Sequence, residues 1–378
     1  MGNRRDGCFL PFVTTARASG KIILFGEHAV VYGQPALAVP VNELYAEAEV
    51  SNIPRAGIWV NAPDIGLHEE LSRLAPDNPL ATVINSVFSA LGMDVIARRA
   101  LPDEAISSTV GEIATSQEHA PRNDRVEGIK ITIKSTIPIA SGLGSGAAVS
   151  VSIIRALSEH LGHPLDDEQV NEIAYEVEKI HHGTPSGIDN TVVTYGKPVF
   201  FLKIPYWVSP PVGGSKFPPL EGTPPRYGRK DKNAIASIHV AKPFTIIIAN
   251  TGIPAPTKES VSDVRKLWEK NPQKMNALFA AAGSIAKTAR QSIEGGHPER
   301  LGALMNENHR ILQEMSVSSP ELDHLTEASL NLGAFGAKLS GGGRGGNMIA
   351  LSTKENAPAI AEALLKAGAK NVIVTEIE

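Results

Sequence analysis

Cysteine is almost missing: Cys8 is the only one in 378 residues. That excludes a disulfide framework within the chain and makes a reducing, cytoplasmic setting the expectation. A large excess of either charge is missing too. The 36 Lys and Arg stand against 40 Asp and Glu, a formal net charge of −4 with no long basic block, which argues against nucleic acid as a partner. Long hydrophobic runs are absent. The opening MGNRRDGCFLPFV is basic and then briefly apolar, too short for a membrane span and without a signal-peptide body, so no membrane association is expected. Myristoylation would need Ser or Thr at the sixth position, where Asp6 stands. No repeat of fixed period is visible.

What is present is a globular composition, 42% hydrophobic and 20% charged, in a chain long enough for two domains. Residues 21–41 alternate short apolar runs with turns at Gly26 and Gly33, a β-rich pattern, and AEAEVSN and GIWVNAP continue it. GIKITIKSTIP (128–138) is a strand by strict alternation and β-branching. Helical spacing marks 78–92, 145–162 and 164–183, and NTVVTYGKPVFFLK after them suggests strands. Residues 102–127 are polar and mixed, as in a loop. The Pro- and Gly-dense stretch 205–229 is the best boundary, giving an N-terminal domain 1–206, a connecting segment 207–236 and a C-terminal domain 237–378. That last part holds helical patterns between FTIIIAN, a strand–glycine loop–strand at 337–351, and the closing strand NVIVTEI.

The stretch PIASGLGSGAAVS (138–150) lies between a strand and a helix. A tight turn would explain its glycines. So would an anion: the first amides of a helix lack internal partners, and the helix dipole adds positive charge there. Gly-Lys-Ser/Thr is missing, so this is no Walker A loop. Gly142-x-Gly144-x-x-Ala147 fits a loose dinucleotide pattern, but no acidic residue closes a second parallel strand at the right distance. GGGRGG (341–346) matches G-x-G-x-x-G between two strands, the wrong context. In EKIHHGTPSGIDNTV, Glu178 lies near a helix end and Asp189 in a turn ahead of a strand. One carboxylate in such a pair can take a proton from a hydroxyl and the other can hold magnesium, though a solvated helix residue and a turn former would look the same. His181 and His182 are adjacent, not four apart as a metal pair on a helix would be, and are taken as structural. Lys21 opens the first strong strand, where a lone lysine is ordinarily solvated.

Together these segments resemble the GHMP kinases from about residue 16 to the C-terminus. PIASGLGSGAA is similar to their phosphate loop and KLSGGGRGGNMIAL to their third motif; SGKIILFGEHAVVYGQPALAV and HGTPSGIDNTV are similar to the mevalonate kinases within the family. The resemblance implies an α+β fold of two domains, the N-terminal one like domain 2 of ribosomal protein S5 and the C-terminal one ferredoxin-like, with the active site in the cleft. It implies ATP as co-substrate, Mg2+, and transfer of the γ-phosphoryl group to the C5 hydroxyl of mevalonate. By the same resemblance Asp189 is the catalytic base and Lys21 its partner. Pro138, Ala140, Ser141, Gly142, Leu143, Gly144, Ser145 and Gly146 cradle the ATP phosphates. Glu178 holds magnesium, with Ser145, water or a nucleotide oxygen open for the place that the family's second serine takes at 146, and Glu27, His28 and Thr251 face the substrate, with Asn250 beside Thr251. Gly341 to Gly346 support the phosphate loop. Gly146 departs from the family, which usually carries a second serine there. Another GHMP small-molecule kinase, acting on phosphomevalonate, homoserine or a sugar, or a ligand binder without activity, stays open, as does a homodimer.

Overall fold

The structure, a computed structural model, describes residues 13–93, 128–138, 141–182, 185–203, 234–255 and 257–378, without the side chains of 180–182. Cys8, Ala140, the stretches 102–127 and 205–229, and the side chains of His181 and His182 therefore lie outside the described residues. The chain divides into two compact units, one drawn from Met1–Arg17, Ala46–Ser135 and Val149–His181, the other from Ala18–Tyr45, Thr136–Ala148 and His182–Glu378.

In the first unit, β5 (Gly128–Ser135) lies between two partners. The C-terminal half of β2 (Pro35–Ile53) runs antiparallel to it, with Ala46 opposite Ser135 and Ile53 opposite Gly128. β3 (Ile58–Ala62) runs parallel to it, Ile58 opposite Ile129, and carries β4 (Leu67–Glu70) on its other edge. Alternation along β5 buries Ile129, Ile131 and Ile133 while its lysines point away from the core. Helices α1 (Pro79–Ala90), α2 (Ser145–His160) and α3 (Asp167–His182) supply apolar faces, with Ile84, Phe88, Ile153, Leu157, Val170 and Ala174 buried.

β1 (Val13–Phe25), in the second unit from Ala18 on, pairs with β2, whose N-terminal half pairs antiparallel with β6 (Val199–Leu202), which pairs in turn with β7 (Ala234–Ser237). A four-stranded antiparallel sheet follows, ordered β11 (Asn371–Ile377), β8 (Phe244–Asn250), β10 (Asn347–Ser352), β9 (Gly336–Ser340). Around it come α5 (Thr257–Lys270), α6 (Pro272–Glu294), α7 (Leu301–Glu314), α8 (Pro320–Asn331) and α9 (Ala357–Lys366). Three helices start alike: Asn78, Asn271 and Ser319 each cap with a side-chain oxygen, and each is followed by proline. That proline has no amide to leave unsatisfied in the first turn.

Two expectations need correcting. The β-rich segment does not break into short strands: residues 35–53 form one 19-residue strand. NTVVTY is not a strand but most of α4 (Ile188–Tyr195). Its β-branched residues favour a strand locally, but tertiary packing prevails. Gly187, with φ of 90°, turns the chain into the helix, and Thr191 Oγ1 donates 2.6 Å to the Gly187 carbonyl. Ile188 and Val192, one turn apart, then enter a buried cluster with Ile23, Val30, Ala36, Ala38, Val199 and Phe201.

Candidate active site

Lys21 is not solvated. It lies inside β1, 3% exposed, with Nζ 3.0 Å from Asp189 Oδ2. Nζ also donates to the Gly142 carbonyl at 3.1 Å, and the Lys21 amide donates to the Leu143 carbonyl at 2.9 Å. One residue thus joins the glycine loop to Asp189. Asp189 stands in the first turn of α4, where the helix dipole favours a carboxylate, and keeps 29% side-chain exposure. The cation is sealed while the carboxylate remains reachable.

Within the glycine loop, Gly142 and Gly144 have φ of 78° and 76°. A Cβ at Gly144 would lie 2.8 Å from Lys21 Cγ, so the residue must be glycine both for its backbone and for the lysine beneath it. Leu143 anchors the loop, 1% exposed, and Ser141 Oγ donates 2.7 Å to the carbonyl of Pro138, itself exposed. Ser145 and Gly146 open α2, whose bond from the Ala148 amide to the Gly144 carbonyl is 2.9 Å. Gly146 is therefore helical, and it is exposed. The amides ahead of Ala148 face a helix N-terminus suited to an anion.

The third glycine motif holds this loop from below. Asn347 Nδ2 donates to the Ser141 carbonyl and Asn250 Nδ2 to Asn347 Oδ1, the latter at 2.8 Å. Thr251 contributes its amide and its hydroxyl to the Gly346 carbonyl, at 2.8 and 3.1 Å. The sequence places Thr251 toward substrate; the structure shows its hydroxyl bonded to the glycine motif.

Glu27 and His28 follow β1 and are buried, 2% and 6% exposed. Glu27 pairs with Lys338 of β9, whose side chain is fully buried. Burial raises the Glu27 carboxyl above its ordinary range and lowers the Lys338 ammonium below its own; the attraction between them opposes both shifts. His28 Nε2 lies 3.1 Å from the Gly342 carbonyl, so Nε2 carries the proton, and Nδ1 is buried with no partner among the described residues. Burial lowers its pKa to about 4, the Gly342 carbonyl resisting and the Arg344 charge assisting. His28 is thus neutral, with an acceptor to offer. Glu178 is buried on α3, in the first unit, near the end of that helix.

Sequence reasoning missed Lys338, Ser340 and Asn347. The signal was the spacing: Lys338, Ser340 and Gly342 alternate along and just beyond β9, so they share a face, and they meet Glu27, the Ile23 carbonyl and His28.

A buried lysine thus holds a partly exposed carboxylate beside a glycine loop at a helix N-terminus. Two family models match the chain: GHMP kinases N terminal domain matches residues 108–197, and GHMP kinases C terminal matches 289–370. The chain belongs to the GHMP kinase family. Within it the chain falls among the mevalonate kinases. It is 34% identical to the mevalonate kinase of Thermococcus gammatolerans, over 96% of this chain and 95% of that one, and 33% identical to that of Pyrococcus furiosus, again over 96% and 95%. The crystal structure of L. major mevalonate kinase in complex with R-mevalonate superposes with a TM-score of 0.73 at 27% identity, covering 97% of each chain. That of Methanococcus jannaschii mevalonate kinase, 23% identical over 97% of this chain and 98% of that one, has a TM-score of 0.70 and shares the fold. The two-domain α+β expectation holds. Among the described residues no helix is long and apolar enough to cross a membrane.

Proposed function

We infer that this chain transfers the γ-phosphoryl group of ATP to the C5 hydroxyl of (R)-mevalonate, giving 5-phosphomevalonate and ADP. The observation that carries this reading is the 3.0 Å contact of Lys21 with Asp189, made where Lys21 also bonds the glycine loop. Asp189 takes the hydroxyl proton as the oxygen forms its bond to the γ-phosphorus and the bond to the β-phosphate oxygen breaks. Lys21 holds Asp189 in place and offsets the negative charge in transit. The loop from Pro138 to Gly146, Ala140 included, receives the phosphates on its amides. His28 Nδ1 and the Glu27 carboxylate are acceptors suited to the hydroxyls of the substrate, and Thr251 steadies the third motif through the Gly346 carbonyl. Most of the acceleration comes from alignment and fixed charge.

Magnesium fits the donors this chain offers. The Ser145 hydroxyl and the Glu178 carboxylate are hard oxygen ligands. Among the described residues no group of three or more His, Cys, Asp or Glu is placed to cage a metal. Bound there, magnesium would offset the negative charge of the phosphate groups. The setting proposed is cytoplasmic. The test is coupled ATP turnover against a panel of mevalonate, 5-phosphomevalonate, homoserine and galactose. Turnover with mevalonate alone supports the reading; preference for any other acceptor, or no turnover, rejects it.

A further inference from the structure

Three bonds tie the segment after Lys21 to β9 and the third glycine motif. Ser340 Oγ donates 2.8 Å to the Ile23 carbonyl, Lys338 pairs with Glu27, and His28 Nε2 meets the Gly342 carbonyl at 3.1 Å. The middle one is ionic and wholly buried, and it is the only one that carries charge. Lys338 also donates 2.5 Å to the Leu339 carbonyl, which fixes its head on Glu27. We propose that Lys338 is a positioning residue for phosphoryl transfer: its ammonium holds the Glu27 carboxylate, and with it the 23–28 segment, so that Lys21 remains with Asp189.

The need for it is electrostatic. Glu27 and Lys21 lie on the same short stretch, and the Lys21 charge acts on Glu27 in addition to that of Lys338. A buried carboxylate without a counter-charge is strongly disfavoured and either takes up a proton or turns to another cation. Here that cation is Lys21, whose ammonium is already shared between Asp189 and the Gly142 carbonyl. Lys338 removes the competition. His309 also feels the Lys338 charge but is engaged elsewhere, its Nε2 at 3.0 Å from Asp323 and its Nδ1 accepting from the Leu339 amide at 3.3 Å. It does not substitute for Lys338.

This inference rests on the phosphotransfer reading, so the wild-type chain is assayed alongside the variants for ATP turnover with mevalonate. Lys338→Met should lower kcat at least tenfold while KM for ATP changes less than threefold, measured on folded protein below its Tm. Removing the carboxylate should remove the requirement: Glu27→Gln/Lys338→Met should match Glu27→Gln alone in kcat within about threefold. Lys338→Arg, which keeps the charge, should retain more kcat than Lys338→Met. A merely structural lysine would lower Tm and leave kcat per folded molecule unchanged. Wild-type kcat in folded Lys338→Met overturns the proposal, as does a tenfold loss that persists in the Glu27→Gln background. If Lys338→Met does not fold, the comparison in the Glu27→Gln background decides alone. An inactive wild-type chain fails both readings; an active one with an indifferent Lys338 fails only this one.

Discussion

His28 should make the folded state acid-sensitive by a calculable amount. Its ordinary pKa of 6.5 falls to about 4 on folding, chiefly through burial. The sign follows from proton counts. Between those two values the unfolded chain binds a proton at this residue and the folded chain does not, so stability is fully present above pH 6.5 and is lost as pH falls toward 4. The whole gap is worth about 3 kcal/mol, and about 2 kcal/mol of it is gone by pH 5. The perturbation is His28→Gln, which keeps a side-chain amide to donate to the Gly342 carbonyl and removes the titration. Substitution itself has a pH-independent cost at a position whose φ is 58°. The quantity of interest is therefore the change in the stability difference with pH. Urea unfolding of both proteins from pH 8 to pH 4.5 measures it. Wild type should lose about 2 kcal/mol more than the variant between pH 7.5 and pH 5. Parallel pH dependences would refute the reasoning and mean that His28 is solvated or compensated in the folded chain.

Asp189→Asn should leave folding and ATP binding intact and reduce turnover by about a hundredfold or more, the scale of a lost general base; near-normal turnover in a folded variant would reject Asp189 as the base. Gly144→Ala places a methyl 2.8 Å from Lys21 Cγ at a φ of 76°. It should lower stability by about 1–2 kcal/mol and turnover by more than the lost stability explains, read from thermal melts and steady-state rates together. Gly146→Ser sits in the first turn of α2, where serine is tolerated and adds a hydroxyl near the phosphate-binding amides. The magnesium concentration for half-maximal rate should drop without loss of Tm; a higher requirement would mean that the glycine suits this loop better than the hydroxyl.

The parts legible in the sequence were those written in local pattern. Alternation in GIKITIKS gave β5, helical spacing in 145–162 gave α2, and the glycines between them marked the loop. Asp189 is legible within its motif but its setting is not: the β-branched run that follows it is helical because Ile188 and Val192 bury one face against strand residues remote in sequence. Lys21 looked like a surface residue on residue type alone, and only the motif resemblance suggested a partner. Its burial comes from the glycine loop more than a hundred residues away, a contact no local pattern carries. The Glu27–Lys338 pair spans 311 residues and was invisible for the same reason.

In the proposed reaction the Lys21–Asp189 pair deprotonates the mevalonate C5 hydroxyl for transfer of the γ-phosphoryl group. Phosphorus NMR of the purified chain with ATP, magnesium and (R)-mevalonate tests it most directly. The γ-phosphate signal of ATP should disappear and one phosphomonoester signal, coupled to the C5 methylene protons, should grow at the rate of ADP formation, with Asp189→Asn forming none on the same timescale. A phosphoryl group on any other oxygen, ADP released as free phosphate accumulates, or unchanged product formation by Asp189→Asn would contradict it.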